Sequence, residues 1–161
     1  IQYSMEVKLI LLGKTNAQYL IEGERKYDNR LKHYLRLTET VIPEIKNAGS
    51  LSSEQIKSKE GLLIMKQLDK SDFVVLLDDK GTQFSSEELS LWLQKKMNAG
   101  MKGVTFIVGG AYGFSKDIIE RSNYQLSLSR MTFSHQMVRL IFKEQLYRAC
   151  TILKGEPYHH K

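Results

Sequence analysis

Three loops and a tail in this 161-residue chain hold residue types that bind or react. Gly109-Gly110-Ala111-Tyr112-Gly113-Phe114-Ser115 follows the apolar run Val104–Val108. Glycines in such a loop let backbone come close to a ligand and aim N–H groups at it. The spacing is not the G-x-G-x-x-G dinucleotide fingerprint, so alone the loop reads as a plain turn. A second polar loop, Ser127 to His135, follows another apolar run, and Asp78-Asp79-Lys80-Gly81 follows a third. There Asp78 or Asp79 offers acceptors, or simply a solvated turn. The tail Pro157-Tyr158-His159-His160-Lys161 combines aromatic and basic groups, which suit an unstacked RNA base or a frayed end. Two adjacent histidines with His33 remote in sequence make poor zinc ligands, and no metal is expected. Gly13-Lys14-Thr15 imitates the end of a phosphate-binding P-loop, but the motif needs a glycine five positions earlier, where Lys8 stands. ATP or GTP use is therefore rejected in favour of a strand-to-helix turn.

The elements that must carry these loops alternate along the chain. Val7–Leu12, Phe73–Leu77, Val104–Val108 and Tyr124–Leu128 read as strands, the second and third continuously apolar and so buried on both faces. Glu39–Ile45 alternates polar and apolar and contains Pro43, which makes it an edge or outer strand. Residues 17–36 are an amphipathic helix. Ser52-x-x-Gln55 and Ser85-x-x-Glu88 have capping-box spacing and open two more helices, the first running to about Leu68. Ser115 starts a short helix, and residues 135–153 form a long terminal one. Five strands alternating with five helices, without hairpin signals, predict an α/β domain: a mostly parallel sheet with helices on both faces. In such a sheet the loops after neighbouring strands gather at one end, where ligands bind. The terminal helix is apolar around more than one stripe, from Met137 and Val138 to Ile152 and Leu153. That implies a homodimer interface or a central core helix.

Composition sets the outer limits. Hydrophobic residues are 42% and charged residues 26%, which excludes a largely disordered chain. No run approaches the roughly 18 apolar residues of a membrane span. No export leader is evident, and the lone Cys150 permits no intrachain disulfide, so a cytoplasmic protein is expected. Lysine plus arginine is 24 against 18 acids, a net +6 that favours polyanionic partners, nucleic acid above all. From the residues alone, the reading is a nucleotide- or cofactor-binding α/β protein with an RNA partner. Ile1–Ser4 precede Met5 and are set aside as an extension of a single domain spanning 5–161.

Taken in order, Leu77-Asp78, Gly109-Gly110-x-x-Gly113, Ser127-Leu128-Ser129-x-x-Thr132-x-x-His135-x-x-Val138-Arg139, Glu144-x-Leu146-Tyr147-Arg148-Ala149 and Pro157-Tyr158-His159 form one set. In that set the chain resembles the ribosomal RNA large-subunit methyltransferase H family of the SPOUT superfamily. The resemblance spans Met5 to Lys161, is most specific in the C-terminal third, and over residues 14–70 holds only in pattern. It implies an α/β sheet whose C-terminal segment threads a trefoil knot, an exception to the unknotted rule. It implies a homodimer that binds S-adenosylmethionine and methylates N3 of pseudouridine 1915, in helix 69 of 23S rRNA, on the assembled ribosome. By motif position, Leu77, Gly110 and the loop Ser129, Arg130, Met131, Thr132, Phe133 and Ser134 would hold the cofactor, with Asp78 and Gly109 beside them. Arg148, Tyr158 and His159 are candidates for handling the proton or the developing charge at the acceptor; His135, Arg139, His160 and Lys161 are candidates for RNA contact. Some relatives carry proline where this chain has Ser134, and Ala111-Tyr112 is a variable pair; neither removes a backbone contact. The rival readings are a catalytically silent RNA- or ribosome-binding factor and an enzyme of another nucleotide cofactor.

Overall fold

The computed structural model describes residues 5–161; Ile1–Ser4, read above as an extension, lie outside the described residues. Strands β1 (Glu6–Leu12), β2 (Arg36–Ile42), β3 (Val74–Gln83), β4 (Gly103–Val108) and β5 (Tyr124–Ser127) make one sheet in the order β2-β1-β4-β3-β5. Every pairing is parallel. The connecting helices are α1 (Gln18–Leu31), α2 (Ser53–Met65), α3 (Ser86–Asn98), α4 (Lys116–Arg121) and α5 (Met137–Lys154), with a 3-10 turn at Ala48–Ser50.

Successive strand residues point to opposite faces, and both faces are covered. Leu9, Leu11, Val75, Leu77, Phe106 and Val108 enter one core with Leu31, Leu93, Phe142 and Leu146, the side of α1, α3 and α5. Ile10, Leu12, Val74, Leu76 and Ile107 enter a second with Ile64 and Ile118, the side of α2 and α4. Two-sided burial is why the strands read as unbroken apolar runs. Both capping boxes form. Ser52 Oγ accepts from the Gln55 N–H at 3.1 Å while Gln55 Oε1 accepts from the Ser52 N–H at 2.9 Å, and Ser85 and Glu88 repeat the exchange. Each box satisfies amides that a helix start leaves unpaired.

Several sequence boundaries shift, among them the end of α2, at Met65 rather than about Leu68. Helix α1 ends at Leu31, so β2 begins at Arg36 rather than Glu39 and closes before Pro43, whose missing N–H cannot serve a ladder. It remains an edge strand, as expected. Helix α5 starts at Met137, two residues later than read; the turn that leads into it is held by Ser134, whose Oγ accepts from the Met137 N–H at 3.1 Å. The stretch Asp78–Gly81, expected as a loop, is the continuation of β3, yet Leu77 and Thr82 both pair with Leu126, so the four residues between them bulge from the β5 ladder.

Helix α5 packs between α1 and α3 along the stripe Arg139, Phe142, Lys143, Leu146, Ala149 and Cys150. Within one chain it is therefore a core helix on that stripe. Ile141, Ile152 and Leu153 stay half-buried beside it.

Candidate functional site

The carboxyl ends of β3, β4 and β5 open on a cavity of about 630 Å³, within the usual range for a small-molecule site. Leu77 and Asp78 come from β3, Val108 to Phe114 from the turn after β4, and Leu128 to His135 from the loop after β5; Val138 adds the first turn of α5. Three loops distant in sequence thus meet, as a parallel sheet requires.

Local chemistry holds each loop. Gly110 sits against α2: a Cβ there would lie 2.7 Å from Glu60 Oε2, so any larger residue would have to displace that carboxylate. Glu60 Oε1 is buried without a hydrogen-bond partner, and burial, with the nearby Glu44 charge adding, raises the Glu60 pKa. The loop after β5 has no regular structure. Ser127 Oγ donates to the Ser129 carbonyl at 2.8 Å, and Ser129 Oγ accepts from the Met131 N–H at 2.9 Å. Thr132 Oγ1 reaches Asp79 Oδ2 at 3.4 Å. Burial raises the Asp78 pKa, against the opposing hydrogen bond from the Lys80 N–H. Leu77, Val108, Leu128 and Val138 form apolar walls beside backbone carbonyls and amides, which suits a planar, hydrogen-bonding ring.

A second cluster lies at the other end of α5. Glu144 accepts from both Arg148 and the Tyr158 hydroxyl, the latter at 3.0 Å. The Arg148 guanidinium stacks 4.8 Å over the Tyr158 ring and its Nη1 lies 3.2 Å from His159 Nδ1. Arginine only donates, so His159 Nδ1 accepts and its Nε2–H donates to Glu87 at 2.9 Å. Tyr27 contacts the Tyr158 hydroxyl at 3.3 Å, and Tyr147 meets its ring edge-on. Burial and the bonds from Tyr27 and Glu144 push the Tyr158 pKa above its ordinary value. The His159 contact holds the Glu87 carboxyl below the usual range. The tail is docked at Tyr158 and His159, not frayed; His160 and Lys161 are exposed.

Of the residues expected at a cofactor site, Leu77, Asp78, Gly109, Gly110, Ser129, Met131, Thr132, Phe133 and Ser134 all line the cavity. Arg130 is exposed and does not. His135, expected against RNA, lines the cavity as well. Arg139 was also expected against RNA, but it is 0% exposed and gives its donors to the Leu12, Gly13 and His135 carbonyls, so it presents no surface to a polyanion. Arg148, Tyr158 and His159 come together but not at the cavity: ten residues of helix separate Arg148 from Val138, about 15 Å at 1.5 Å per residue. Gly13, at φ +75°, makes the strand-to-helix turn read from the sequence. Sequence reasoning missed Glu60, Glu87, Tyr27 and Gln136. Their partners lie at least 50 residues away or are backbone atoms, so no local pattern marks them.

Residues 5–159 match the family described as "Predicted SPOUT methyltransferase". Proteins named "Ribosomal RNA large subunit methyltransferase H" from Christiangramia forsetii and Parabacteroides distasonis are each 52% identical over 157 residues, covering 98% of this chain and 100% of theirs. One from Cytophaga hutchinsonii is 51% identical over 156 residues, covering 97% of this chain and all of its own. Among solved structures, a probable methyltransferase from Bordetella pertussis Tohama I superposes with a TM-score of 0.58 at 12% identity, covering 91% of this chain and 95% of that one. That likeness supports the fold alone. Identity of this extent over the whole chain, with the family match and the shared α/β fold, leads to one conclusion: the chain belongs to the SPOUT methyltransferase family, enzymes that use S-adenosylmethionine as methyl donor.

Proposed function

We propose that this protein methylates N3 of pseudouridine 1915 in helix 69 of 23S rRNA, on the assembled ribosome, in the cytoplasm and as a homodimer. The observation that carries the reading is end-to-end identity of about half to proteins named for methylating large-subunit rRNA. Among the described residues, no helix is long and apolar enough to cross a membrane.

The cavity residues fit S-adenosylmethionine. Its adenine suits the slot between Leu77, Leu128 and Val138, with backbone groups of Gly110 and Ser129–Ser134 as hydrogen-bond partners. Gly110 carries no Cβ where the loop meets Glu60, so backbone forms that part of the cradle. The bound cofactor supplies an electrophilic methyl group. The protein aligns the acceptor with it, and alignment provides much of the rate in a displacement.

The acceptor N3–H must also lose its proton. In the C-terminal cluster Tyr158 stays protonated, because burial and then its contacts with Tyr27 and Glu144 raise its pKa, so it donates rather than accepts. Arg148, held by Glu144, is a fixed cation suited to charge developing on a carbonyl oxygen. His159 Nδ1, which accepts from Arg148, is the candidate acceptor for the proton. The cluster of one chain lies about 15 Å along α5 from that chain's cavity, so in the homodimer the cluster of one subunit serves the cavity of the other. The half-buried Ile141, Ile152 and Leu153 support a partner covering α5. The C-terminal segment forms a trefoil knot in this reading. Its support is the path from β5, at one sheet edge, across the ends of β3 and β4 to the end of β1, where Arg139 binds the Leu12 carbonyl.

The test is transfer of labelled methyl from S-adenosylmethionine to assembled ribosomes lacking the modification. The expected product is N3-methylpseudouridine in helix 69. No label, from folded and dimeric protein, refutes the assignment.

A further inference from the structure

We propose that the turn after β1, Gly13 to Asn16, sets the position of the cofactor loop through Gln136 and Arg139, which makes these two residues positioning residues for cofactor binding. The proposal rests on the reading that the cavity holds S-adenosylmethionine. No residue of that turn lines the cavity, yet the loop that does line it, Ser129 to His135, is fastened there.

Gln136 follows the loop directly. Its Oε1 accepts from the Asn16 N–H at 2.8 Å, and its Nε2 donates to the Lys14 carbonyl at 2.9 Å. One side-chain amide thereby bridges two backbone groups of the turn. Three residues on, Arg139 donates from Nη2 to the Leu12 carbonyl at 2.7 Å and from Nη1 to the Gly13 carbonyl at 2.9 Å and Thr15 Oγ1 at 3.2 Å. Its Nε donates to the His135 carbonyl, the last residue of the loop, at 3.1 Å. The guanidinium therefore grips both sides at once, as its rigid fork allows and a lysine ammonium does not.

The turn side of the clamp is itself fixed. The Gly13 N–H donates to the Ile42 carbonyl at 2.7 Å, and Thr15 Oγ1 donates to Glu24 at 2.7 Å, which in turn pairs with the buried Lys143 at 3.1 Å. The loop side has little of its own. Met131 is 77% exposed, Ser129 and Ser134 bond within the loop and its exit, and beyond the Ser127 bond at the β5 end its tie to the sheet is the long 3.4 Å contact of Thr132 with Asp79. One end of the loop leaves β5. Where the other end sits, and so how Thr132 to Ser134 face the glycine loop, depends on the clamp.

The test measures S-adenosylmethionine affinity by calorimetry and amide hydrogen exchange of the ligand-free chain, for wild type, Gln136→Ala, Gln136→Glu and Arg139→Lys. Gln136 is only partly buried, so Gln136→Ala keeps the fold. The expected result is roughly fivefold weaker binding for Gln136→Ala, from two lost hydrogen bonds, with faster exchange confined to residues 129–136. Gln136→Glu keeps the acceptor for Asn16 and loses the donor, so it falls between; Arg139→Lys loses the fork and binds more weakly still. Wild-type affinity and exchange in both Gln136→Ala and Arg139→Lys would overturn the clamp. A lower melting temperature with unchanged affinity would also overturn it, because the contacts would then serve the fold alone. Failure of wild type to bind S-adenosylmethionine would instead refute the cofactor site on which the proposal rests.

Discussion

Gly81→Ala tests whether the β3 bulge and the cavity are one mechanical unit. A Cβ at Gly81 would lie 2.7 Å from both the carbonyl carbon and the oxygen of Gln125 and 2.8 Å from the Leu126 nitrogen. All three atoms are β5 backbone, so no side chain can swing away to make room. Contact distances for carbon against these atoms are about 3.5 Å, so β3 and β5 must separate by several tenths of an ångström or more. Overpacking of that kind costs about 1–3 kcal/mol, which for a chain of this length lowers the melting temperature by about 3–10 °C. The displacement falls where Thr82 pairs with Leu126, four residues from Asp78 at the cavity. Cofactor affinity should therefore drop along with stability. Gly49→Ala is the control, because a Cβ there meets nothing within 4 Å and should leave both quantities unchanged. Thermal melts and cofactor titrations on the three proteins decide it. If Gly81→Ala melts within 1 °C of wild type, roughly the resolution of such a melt, β5 yields more easily than close-packed backbone allows and the reasoning fails.

Three more outcomes follow from the site. Gly110→Val should abolish cofactor binding, since its side chain meets the Glu60 carboxylate at the cradle; adding Glu60→Ala should restore part of the affinity, and titration of both variants checks this. Removing Tyr158–Lys161 should leave cofactor affinity intact, because the tail lines no part of its own chain's cavity and its proposed role at the partner's is toward the acceptor, while methylation of ribosomes falls; unchanged methylation would reduce the tail to packing. Glu60→Gln should raise the melting temperature near pH 7 modestly, by up to about 2 °C, because it removes a charge that burial and Glu44 disfavour. The folded-state pKa of Glu60 is raised, so its ionisation costs stability increasingly as pH rises through that value. The gain from glutamine should therefore vanish in acid below the ordinary glutamate range, and melts across pH would show it.

What the sequence makes legible here is whatever depends on neighbours along the chain. Strand runs declare themselves because both sheet faces are covered, and the serine capping boxes because their exchange spans three residues. Glu144 and Arg148 are i,i+4 partners and could be paired on paper. Strand β2 was displaced by three residues because the alternation from Leu37 onward keeps the same phase as that from Glu39, and period alone cannot say where pairing stops. Asp78–Gly81 looked like a loop because acids and glycine are poor strand formers. It is held in β3 by the resumption of pairing at Thr82, which no local pattern records. Arg139 was a candidate for RNA contact by motif position, but its partners are the Leu12, Gly13 and His135 carbonyls and Thr15 Oγ1, three of the four more than 120 residues away, so no local pattern marks them.

The polar groups between α1, β2 and α5 explain how a loop without regular structure can still be placed. Lys143, 1% exposed by its side chain, meets Glu24 at 3.1 Å, Asp28 at 2.9 Å and Glu39. Burial alone would lower its pKa, but the hydrogen bonds and charges of Glu39 and Asp28 reverse the sign, so it remains a cation in the core. Replacing such a network by apolar side chains of equal volume is often neutral for stability, so stability alone does not account for it. Its distinguishing property is directional. Apolar packing lets a helix slide or rotate by fractions of an ångström, whereas Lys143 and Arg139 allow one rotation and one height of α5 against β1 and β2. Helix α5 begins where the cofactor loop ends, so the height of the helix is the height of the loop.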